Sequence, residues 1–136
     1  AGKKLKTTLF DNIPSLANLI TKVKKASNRG YLKGLDGRKI KVKSEHSAPN
    51  YLLQSAGAIV MKKALVLLYE DAKKENLDFK LIGNIHDEIQ TQVIEKDAVR
   101  FGELAVRAMV NAGIELNMNC PLDGEAKIGS NWYETH

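Results

Sequence analysis

Two amphipathic helices stand out in the hydrophobic pattern. The first follows Asn12-Ile13-Pro14, because Pro suits the first turn of a helix, and Gly30 ends it. The second opens at Glu95-Lys96-Asp97, where acids favour a helix N-terminus, and Gly113 ends it. Each has apolar residues at the three- and four-residue spacing of one helix face. These stripes are Leu16, Leu19, Ile20 and Val23, and Ala98, Phe101, Ala105, Ala108, Met109 and Ala112.

Alternating apolar and polar residues predict three stretches of strand. Residues 31–42 form a hairpin, with Asp36-Gly37 as its two-residue turn. Residues 78–93 form a second hairpin, in which Ile82 breaks the alternation and His86-Asp87-Glu88 occupies the joint. A last strand runs from 120 to about 128, at an edge or with Pro121 at its start.

A long helix is predicted between the two hairpins. Ser47 is its expected N-cap, Pro49 fits the first turn, and nothing except Gly57 interrupts a helical pattern to about Glu75. Leu65-Val66-Leu67-Leu68 makes the helix apolar on nearly every face, so we expect it to be buried at the centre of the domain. The fold class is therefore α+β, with an antiparallel sheet and packed helices. Residues 1–136 form one domain, residues 1–11 are expected to be a mobile arm, and Trp132 is expected to anchor the tail in the core.

Composition narrows the function classes. The 136 residues are 43% hydrophobic and 27% charged, which is typical of a soluble globular protein. No apolar run of bilayer-crossing length and no signal peptide is evident, and Cys120 is the single cysteine. We therefore expect a cytoplasmic protein without membrane contact, disulfides or Cys-rich zinc sites. The net charge is +5, and Lys and Arg cluster in the first 43 residues, which suits either phosphate binding or a solvated basic face.

Two groups of polar residues are candidates for chemistry. His86, Asp87 and Glu88 place two carboxylates and an imidazole at a stiff hairpin tip, which suits a hard cation such as Mg²⁺. Solvated turn residues are the simpler interpretation of the same triplet. Asn50 and Gln54 lie one helical turn apart beside the small residues 57 and 58. Their amides could reach base edges in a minor groove, or could satisfy neighbouring backbone groups.

Four motifs, in order and at the right spacing, resemble the C-terminal part of family A (polymerase I-type) DNA polymerases, most closely the bacteriophage branch. The resemblance covers roughly residues 10–136 and implies a polymerase palm-like fold. The motifs are Gly34-Leu35-Asp36-Gly37-Arg38-Lys39, Asn50-Tyr51-Leu52-Leu53-Gln54-Ser55-Ala56-Gly57-Ala58, Ile85-His86-Asp87-Glu88 and Gly129-Ser130-Asn131-Trp132.

The resemblance implies a role for each matching residue. Asp87 is expected to be one of two palm aspartates that bind a pair of Mg²⁺ ions, supported by Glu88. His86 is expected to position the 3′ end of the primer. The implied contacts to primer–template DNA come from Asn50, Gln54, Arg38 and, where relatives often carry an arginine, His46.

The sequence lacks the family's Asp-x-Ser-x-x-Glu motif, which carries the other aspartate, and lacks the fingers helix that binds the incoming deoxynucleoside triphosphate. We therefore predict a palm fragment or split chain that is inactive by itself and needs a partner chain or the missing N-terminal region. Self-association through exposed apolar surface is a further expectation. Two other functions stay open: a non-catalytic module that binds duplex DNA, and a small metal-dependent nuclease that uses Asp87 and Glu88.

Overall fold

The computed structural model describes residues 2–135, without the side chains of Lys3 and Lys6. Helices and antiparallel strands alternate along the chain, which confirms the α+β class. The chain forms two compact units, residues 1–56 and residues 57–136. The elements are α1 (Gly2–Asn12), α2 (Pro14–Ser27), β1 (Tyr31–Lys33), β2 (Lys39–Lys41), α3 (Ala48–Lys74), β3 (Phe79–Ile85), β4 (Glu88–Val93), α4 (Glu95–Glu115) and α5 (Trp132–Thr135).

The strands form two separate two-stranded sheets, one in each unit, rather than one continuous sheet. In the first unit β1 pairs with β2, and the core of that unit gathers the inward side of this hairpin against α2 and the start of α3. Apolar side chains from all three elements share this core because each element buries one face. They are the buried Val23, Leu32 and Ala48, and the partly buried Ala26, Ile40, Val42 and Leu52.

Residues 2–11, which were expected to belong to a mobile arm, have regular secondary structure. They lie in helix α1, which continues to Asn12, while Ala1 lies outside the described residues. The backbone N–H of Ile13 donates to the carbonyl of Leu9 at 3.0 Å, so the chain passes directly from α1 towards α2. The segment lacks a regular apolar stripe, but lysine and leucine are both good helix formers.

The turn between β1 and β2 is longer than predicted. Lys33 pairs with Lys39, and the backbone N–H of Gly34 donates to the carbonyl of Arg38 at 2.9 Å. Asp36-Gly37 therefore lies inside a five-residue loop, residues 34–38, instead of forming a two-residue turn by itself. Gly37 has a φ of 84°, a left-handed conformation that glycine adopts without strain.

Helix α3 is the predicted long central helix, but only part of its apolar surface is buried. Ala64, Leu68 and Ala72 are buried, whereas Val66 is 51% exposed and Tyr69 is 46% exposed. The expectation of burial on nearly every side was therefore wrong. By length and composition alone, α3 is also long and apolar enough to cross a membrane, contrary to the sequence reading. The core helix of a soluble protein can have the same length and composition.

Helix α3 begins where the sequence predicted. Ser47 immediately precedes the helix, and its carbonyl accepts a hydrogen bond from the backbone N–H of Tyr51 at 3.0 Å. The Ser47 hydroxyl donates to the carbonyl of Ser44 at 3.1 Å, so it stabilises the preceding turn. Pro49 lies in the first turn, where a missing N–H breaks no helical hydrogen bond.

The core of the second unit packs α3 and α4 against the β3–β4 hairpin. The partly buried Phe79 of β3 packs against this core, with its ring centroid 5.1 Å from that of Phe101 and 5.6 Å from that of Tyr69. The hairpin is therefore held on a rigid layer of apolar side chains. The buried members are Leu68, Ala72, Phe101, Leu104 and Ala108, and Ile89 and Val93 of β4 pack against them.

An asparagine ends each of the helices α3 and α4. Asn76 follows α3 with a φ of 56°, and Asn117 follows α4 with a φ of 52°. The next residue after each asparagine, Leu77 or Met118, donates its backbone N–H back into the last turn, as in a Schellman motif. Helix α4 therefore continues past Gly113, where the sequence had predicted its end.

The predicted last strand is absent from the described residues, because residues 121–129 form no ladder. This segment instead runs along α4. A Cβ atom built on Gly113 would lie 2.9 Å from Leu122 Cγ, and one built on Gly102 would lie 3.0 Å from Ala126 Cβ. The small residues of α4 thus accommodate this segment as well as the hairpin. Trp132 follows it and is 51% exposed, so the prediction that it anchors the tail in a core was wrong.

Candidate functional site

The candidate metal-binding residues lie at the tip of the β3–β4 hairpin, as the alternation predicted. Ile85 pairs with Glu88, which leaves His86 and Asp87 as the two residues of the turn. His86 has a φ of 56°, a conformation that costs a non-glycine residue about 1–2 kcal/mol. Both turn side chains are exposed. The fold therefore presents the Asp87 carboxylate to solvent from a tip whose backbone is fixed by the paired strands.

A β-bulge below the tip decides which side chains share a face. Leu81 pairs with Thr91 and Gly83 with Gln90, so Ile82 has no cross-strand partner. Strand parity changes there, because side chains alternate between faces and one extra residue reverses the order. Ile85 therefore lies on the face of Glu88 rather than on that of Leu81, and it is 41% exposed.

Glu88 lies beside the tip but is fixed differently from Asp87. It is half-buried, and its Oε1 accepts a hydrogen bond from the side-chain amide of Gln90 on the same face of β4. This contact aligns the Glu88 carboxylate along the strand. Two neighbouring carboxylates thus have different environments: the first is open at the turn and the second is held by an amide.

The hairpin fits part of a magnesium site. Proteins bind Mg²⁺ through one or two carboxylates, completed by water and substrate phosphates. Asp87 is exposed and can supply one such carboxylate, with Glu88 adjacent. Among residues 2–135, no cluster of three or more His, Cys, Asp or Glu side chains could hold a metal ion by itself.

The candidate nucleic-acid contacts lie in the first unit, whereas the hairpin tip lies in the second. Asn50 and Gln54 are both exposed in the first two turns of α3. Residues four apart on a helix have Cβ atoms about 5–6 Å apart, so the two amides can address adjacent positions of one ligand. His46 is exposed in the turn that precedes the helix.

Arg38 is engaged within its own loop. Its Nη2 lies 2.6 Å from Asp36 Oδ2, and its Nε donates to the same oxygen at 2.7 Å. Hydrogen bonding from Arg38 lowers the pKa of the Asp36 carboxyl below its ordinary value. A phosphate could bind Arg38 only by sharing or displacing this carboxylate.

The sequence reasoning missed Tyr31. Its ring accepts two cation–π contacts, from Arg29 with Cζ 4.7 Å from the ring centroid and from Lys39 with Nζ at 4.9 Å. The alternation of side chains along β1 and β2 could have indicated these contacts, because it places Tyr31 and the lysines of β2 on the outward face of the same hairpin.

Comparison with known proteins shows what the chain is similar to. The sequence model of DNA polymerase family A matches residues 1–134. The chain is 36% identical to the DNA-directed DNA polymerase of Enterobacteria phage T3 and 35% identical to that of Escherichia phage Phieco32. Each match covers 99% of this chain, but only 22% and 23% of the respective relative.

The chain is also similar to more distant proteins. DNA polymerase I of Caldicellulosiruptor bescii is 33% identical over 93% of the chain, which covers 16% of that protein. The solved structure "POL domain of Pol1 from M. smegmatis complex with DNA primer-template and dNTP" is similar with a TM-score of 0.73 and 21% identity. That match covers 95% of this chain and 24% of the other, and supports the fold only. The chain thus spans less than a quarter of the length of each of these proteins.

Proposed function

Because the chain belongs to DNA polymerase family A, we propose that it is a palm portion contributing one metal-binding aspartate and primer–template contacts to nucleotidyl transfer. The observation that carries this proposal is the position of Asp87. The carboxylate is exposed on a two-residue turn between paired strands. Catalysis of phosphoryl transfer depends mainly on positioning and charge stabilisation, and a turn fixed by two strands supports both.

Each residue of the tip has a separate task in this proposal. Asp87 binds metal through its open carboxylate, and Glu88 supports the site from the strand, where Gln90 orients it. His86 faces solvent at the same turn and positions the primer 3′ end. When bound, a pair of Mg²⁺ ions would activate the 3′-hydroxyl and stabilise the charge of the triphosphate. The second aspartate comes from outside these 136 residues, so the chain is inactive by itself.

The DNA contacts come from the first unit. Asn50 and Gln54 expose amide groups one turn apart, and amides can donate to the acceptors that every base pair presents in the minor groove. Such contacts are independent of sequence, which suits a polymerase. Arg38 and His46 add contacts to the duplex, Arg38 by exchanging Asp36 for a phosphate.

The partners follow from the same proposal. The related M. smegmatis domain was solved with primer-template DNA and dNTP. By analogy, this chain binds primer–template DNA and meets a deoxynucleoside triphosphate when a partner chain, or the remainder of a longer protein, supplies the other polymerase motifs. Such an enzyme works in the cytoplasm of a bacterial host.

Primer extension in a mixture tests the proposal. The chain is combined with a polypeptide that carries the other polymerase motifs, on a recessed duplex with Mg²⁺ and four deoxynucleoside triphosphates. Asp87→Asn removes the charge with little change in shape, and Asp123→Asn is the matched control in the C-terminal segment. Loss of about 4 kcal/mol of charge stabilisation corresponds to about a thousandfold slower extension. We expect that loss for Asp87→Asn only, and no extension by the chain without the second polypeptide.

Two results would contradict the proposal. Extension that survives Asp87→Asn in the mixture would remove Asp87 from the metal site. Extension by the chain without the second polypeptide would show that it finds its second carboxylate internally.

A non-catalytic duplex-binding module is the second candidate, favoured by the exposure of Asn50 and Gln54. It predicts salt-sensitive binding of any duplex sequence, together with no extension in any mixture.

A further inference from the structure

The face of the β3–β4 hairpin that points away from the core carries the contact between Glu88 and Gln90. Ile89 and Val93 of β4 pack against the core, so Glu88, Gln90 and Gln92 lie on the other face, because side chains alternate across a strand. The side-chain amide of Gln90 donates to Glu88 Oε1. Residues two apart on a strand are about 7 Å apart, and these two long side chains span that distance by turning towards each other.

The strand opposite leaves room for this contact and shields it. Gly83 pairs with Gln90, and Ile85 pairs with Glu88. A Cβ atom built on Gly83 would lie 3.6 Å from both Cγ1 and Cδ1 of Ile85, so Ile85 leans over the glycine towards Gln90. Glu88 and Gln90 are both half-buried. A hydrogen bond that is partly shielded from water is stronger than an exposed one, so this contact holds the carboxylate in one orientation.

We propose that Gln90 is a positioning residue that keeps Glu88 from binding a metal with both carboxylate oxygens, and that it thereby selects Mg²⁺ over Ca²⁺. Ca²⁺ takes about six to eight oxygen ligands and accepts both oxygens of one carboxylate, whereas Mg²⁺ requires a regular octahedron and keeps several waters. Because the Gln90 amide engages Oε1, a cation that takes both oxygens must displace that amide. The inference rests on the proposed function, since it takes the hairpin tip as a metal site, and it names the residue that sets which cation the tip accepts.

NMR spectroscopy of the ¹⁵N-labelled full chain tests the contact without any activity. A hydrogen bond to a carboxylate is short and strong, so the side-chain NH₂ signals of Gln90 should differ from those of the exposed Gln92. Glu88→Met removes the acceptor with little change in the length of the side chain. It should move the Gln90 NH₂ signals to the position typical of an exposed amide and leave the Gln92 signals in place.

Primer extension in the presence of two cations tests the selectivity. The chain is mixed with the polypeptide that carries the other polymerase motifs, and Ca²⁺ is added at a fixed Mg²⁺ concentration. Gln90→Met keeps the length of the side chain and removes its amide. Gln92→Met is the matched control, because Gln92 lies on the same face of β4 two residues further along.

The expected effect is a change in the Ca²⁺ concentration that halves extension. Loss of a hydrogen-bond partner of a metal-binding carboxylate changes metal affinity by about 10–100-fold. This midpoint should therefore fall by about tenfold or more in Gln90→Met and stay at the parent value in Gln92→Met. A hairpin that is only destabilised would extend more slowly at every Ca²⁺ concentration without moving the midpoint.

Three results would overturn the inference: Gln90 NH₂ signals that coincide with those of Gln92 or do not respond to Glu88→Met; a Ca²⁺ midpoint that Gln90→Met leaves unchanged; or equal changes of the midpoint in Gln90→Met and Gln92→Met.

Asp87→Asn separates this inference from the proposed function. If Asp87→Asn stops extension while Gln90→Met leaves the Ca²⁺ midpoint unchanged, the proposed transfer stands and the selectivity fails. If no mixture extends a primer, the proposed transfer fails and the selectivity fails with it, whereas the NMR signals still decide whether Gln90 holds Glu88.

Discussion

Replacement of Gly113 by alanine probes the contact between α4 and the C-terminal segment. In an open helix, Gly→Ala stabilises by about 0.8–1.0 kcal/mol. At Gly113 the new methyl group would lie 2.9 Å from Leu122 Cγ and 3.1 Å from Leu122 Cδ1, so Leu122 must move. Overpacking of this kind costs about 1–3 kcal/mol. The net expectation is a change between neutral and a loss of about 2 kcal/mol.

Gly57→Ala is the matched control, because Gly57 also lies inside a helix but has nothing within 4 Å of a built Cβ. Urea unfolding of the two variants should differ by the overpacking cost, about 1–3 kcal/mol. Gly113→Ala/Leu122→Ala should recover part of the loss. If Gly113→Ala is as stabilising as Gly57→Ala, the C-terminal segment does not pack against α4 as described.

Three further outcomes are expected. His86→Val should lower the free energy of unfolding by about 1–2 kcal/mol, because a β-branched residue resists a positive φ, while Asn at this position is tolerated; thermal unfolding measures both. Hydrogen bonding from Arg100 lowers the pKa of Glu75 below 4.5. Its stabilisation is therefore present above pH 4.5 and lost as pH falls through the lower folded pKa, so the difference in Tm from Glu75→Gln should vanish in acid. Exposed Val66 and Tyr69 should support self-association in sedimentation velocity, and lysine at both positions should shift the chain towards monomer; a parent chain that sediments as a monomer at high concentration would contradict this.

Sequence periodicity was sufficient for most helices and for the hairpin that carries Asp87. The α2 and α4 stripes are regular, and the break in alternation at Ile82 marks the actual bulge. The turn was predicted at His86-Asp87-Glu88 and lies at His86 and Asp87, because Glu88 already pairs with Ile85 at the start of β4. These signals are local, so they can be recognised in the sequence without knowledge of the tertiary structure.

The errors came from positions where a distant contact decides the outcome. Gly113 resembles a helix end, but it is buried beneath Leu122, and Asn117 supplies the left-handed residue instead. Residues 121–129 alternate like a strand, yet they pack on α4 without a ladder. Periodicity describes which side of a segment is covered and does not identify what covers it.

The sequence predicted where the candidate site residues lie along the chain, but it did not predict their side-chain contacts. Asp87 was expected at an exposed tip and lies there. The amide contact to Glu88 depends on side-chain position across a bulged strand, and the ion pair of Arg38 with Asp36 depends on the exact loop length. Neither could be read from a motif, since both follow from the register of a particular hairpin.

The bulge at Ile82 gives the hairpin one position at which its length can change without a change of register. The pairs on either side of it, Leu81 with Thr91 and Gly83 with Gln90, are consecutive on β4. Deletion of Ile82 would therefore remove the bulge and keep every other pair, so residues 83–85 and the turn that carries Asp87 would keep their faces. Deletion of a paired residue in β3 would instead exchange the faces of the residues between it and the turn. Alignments of relatives should therefore show single-residue gaps in β3 at position 82 rather than at a paired position.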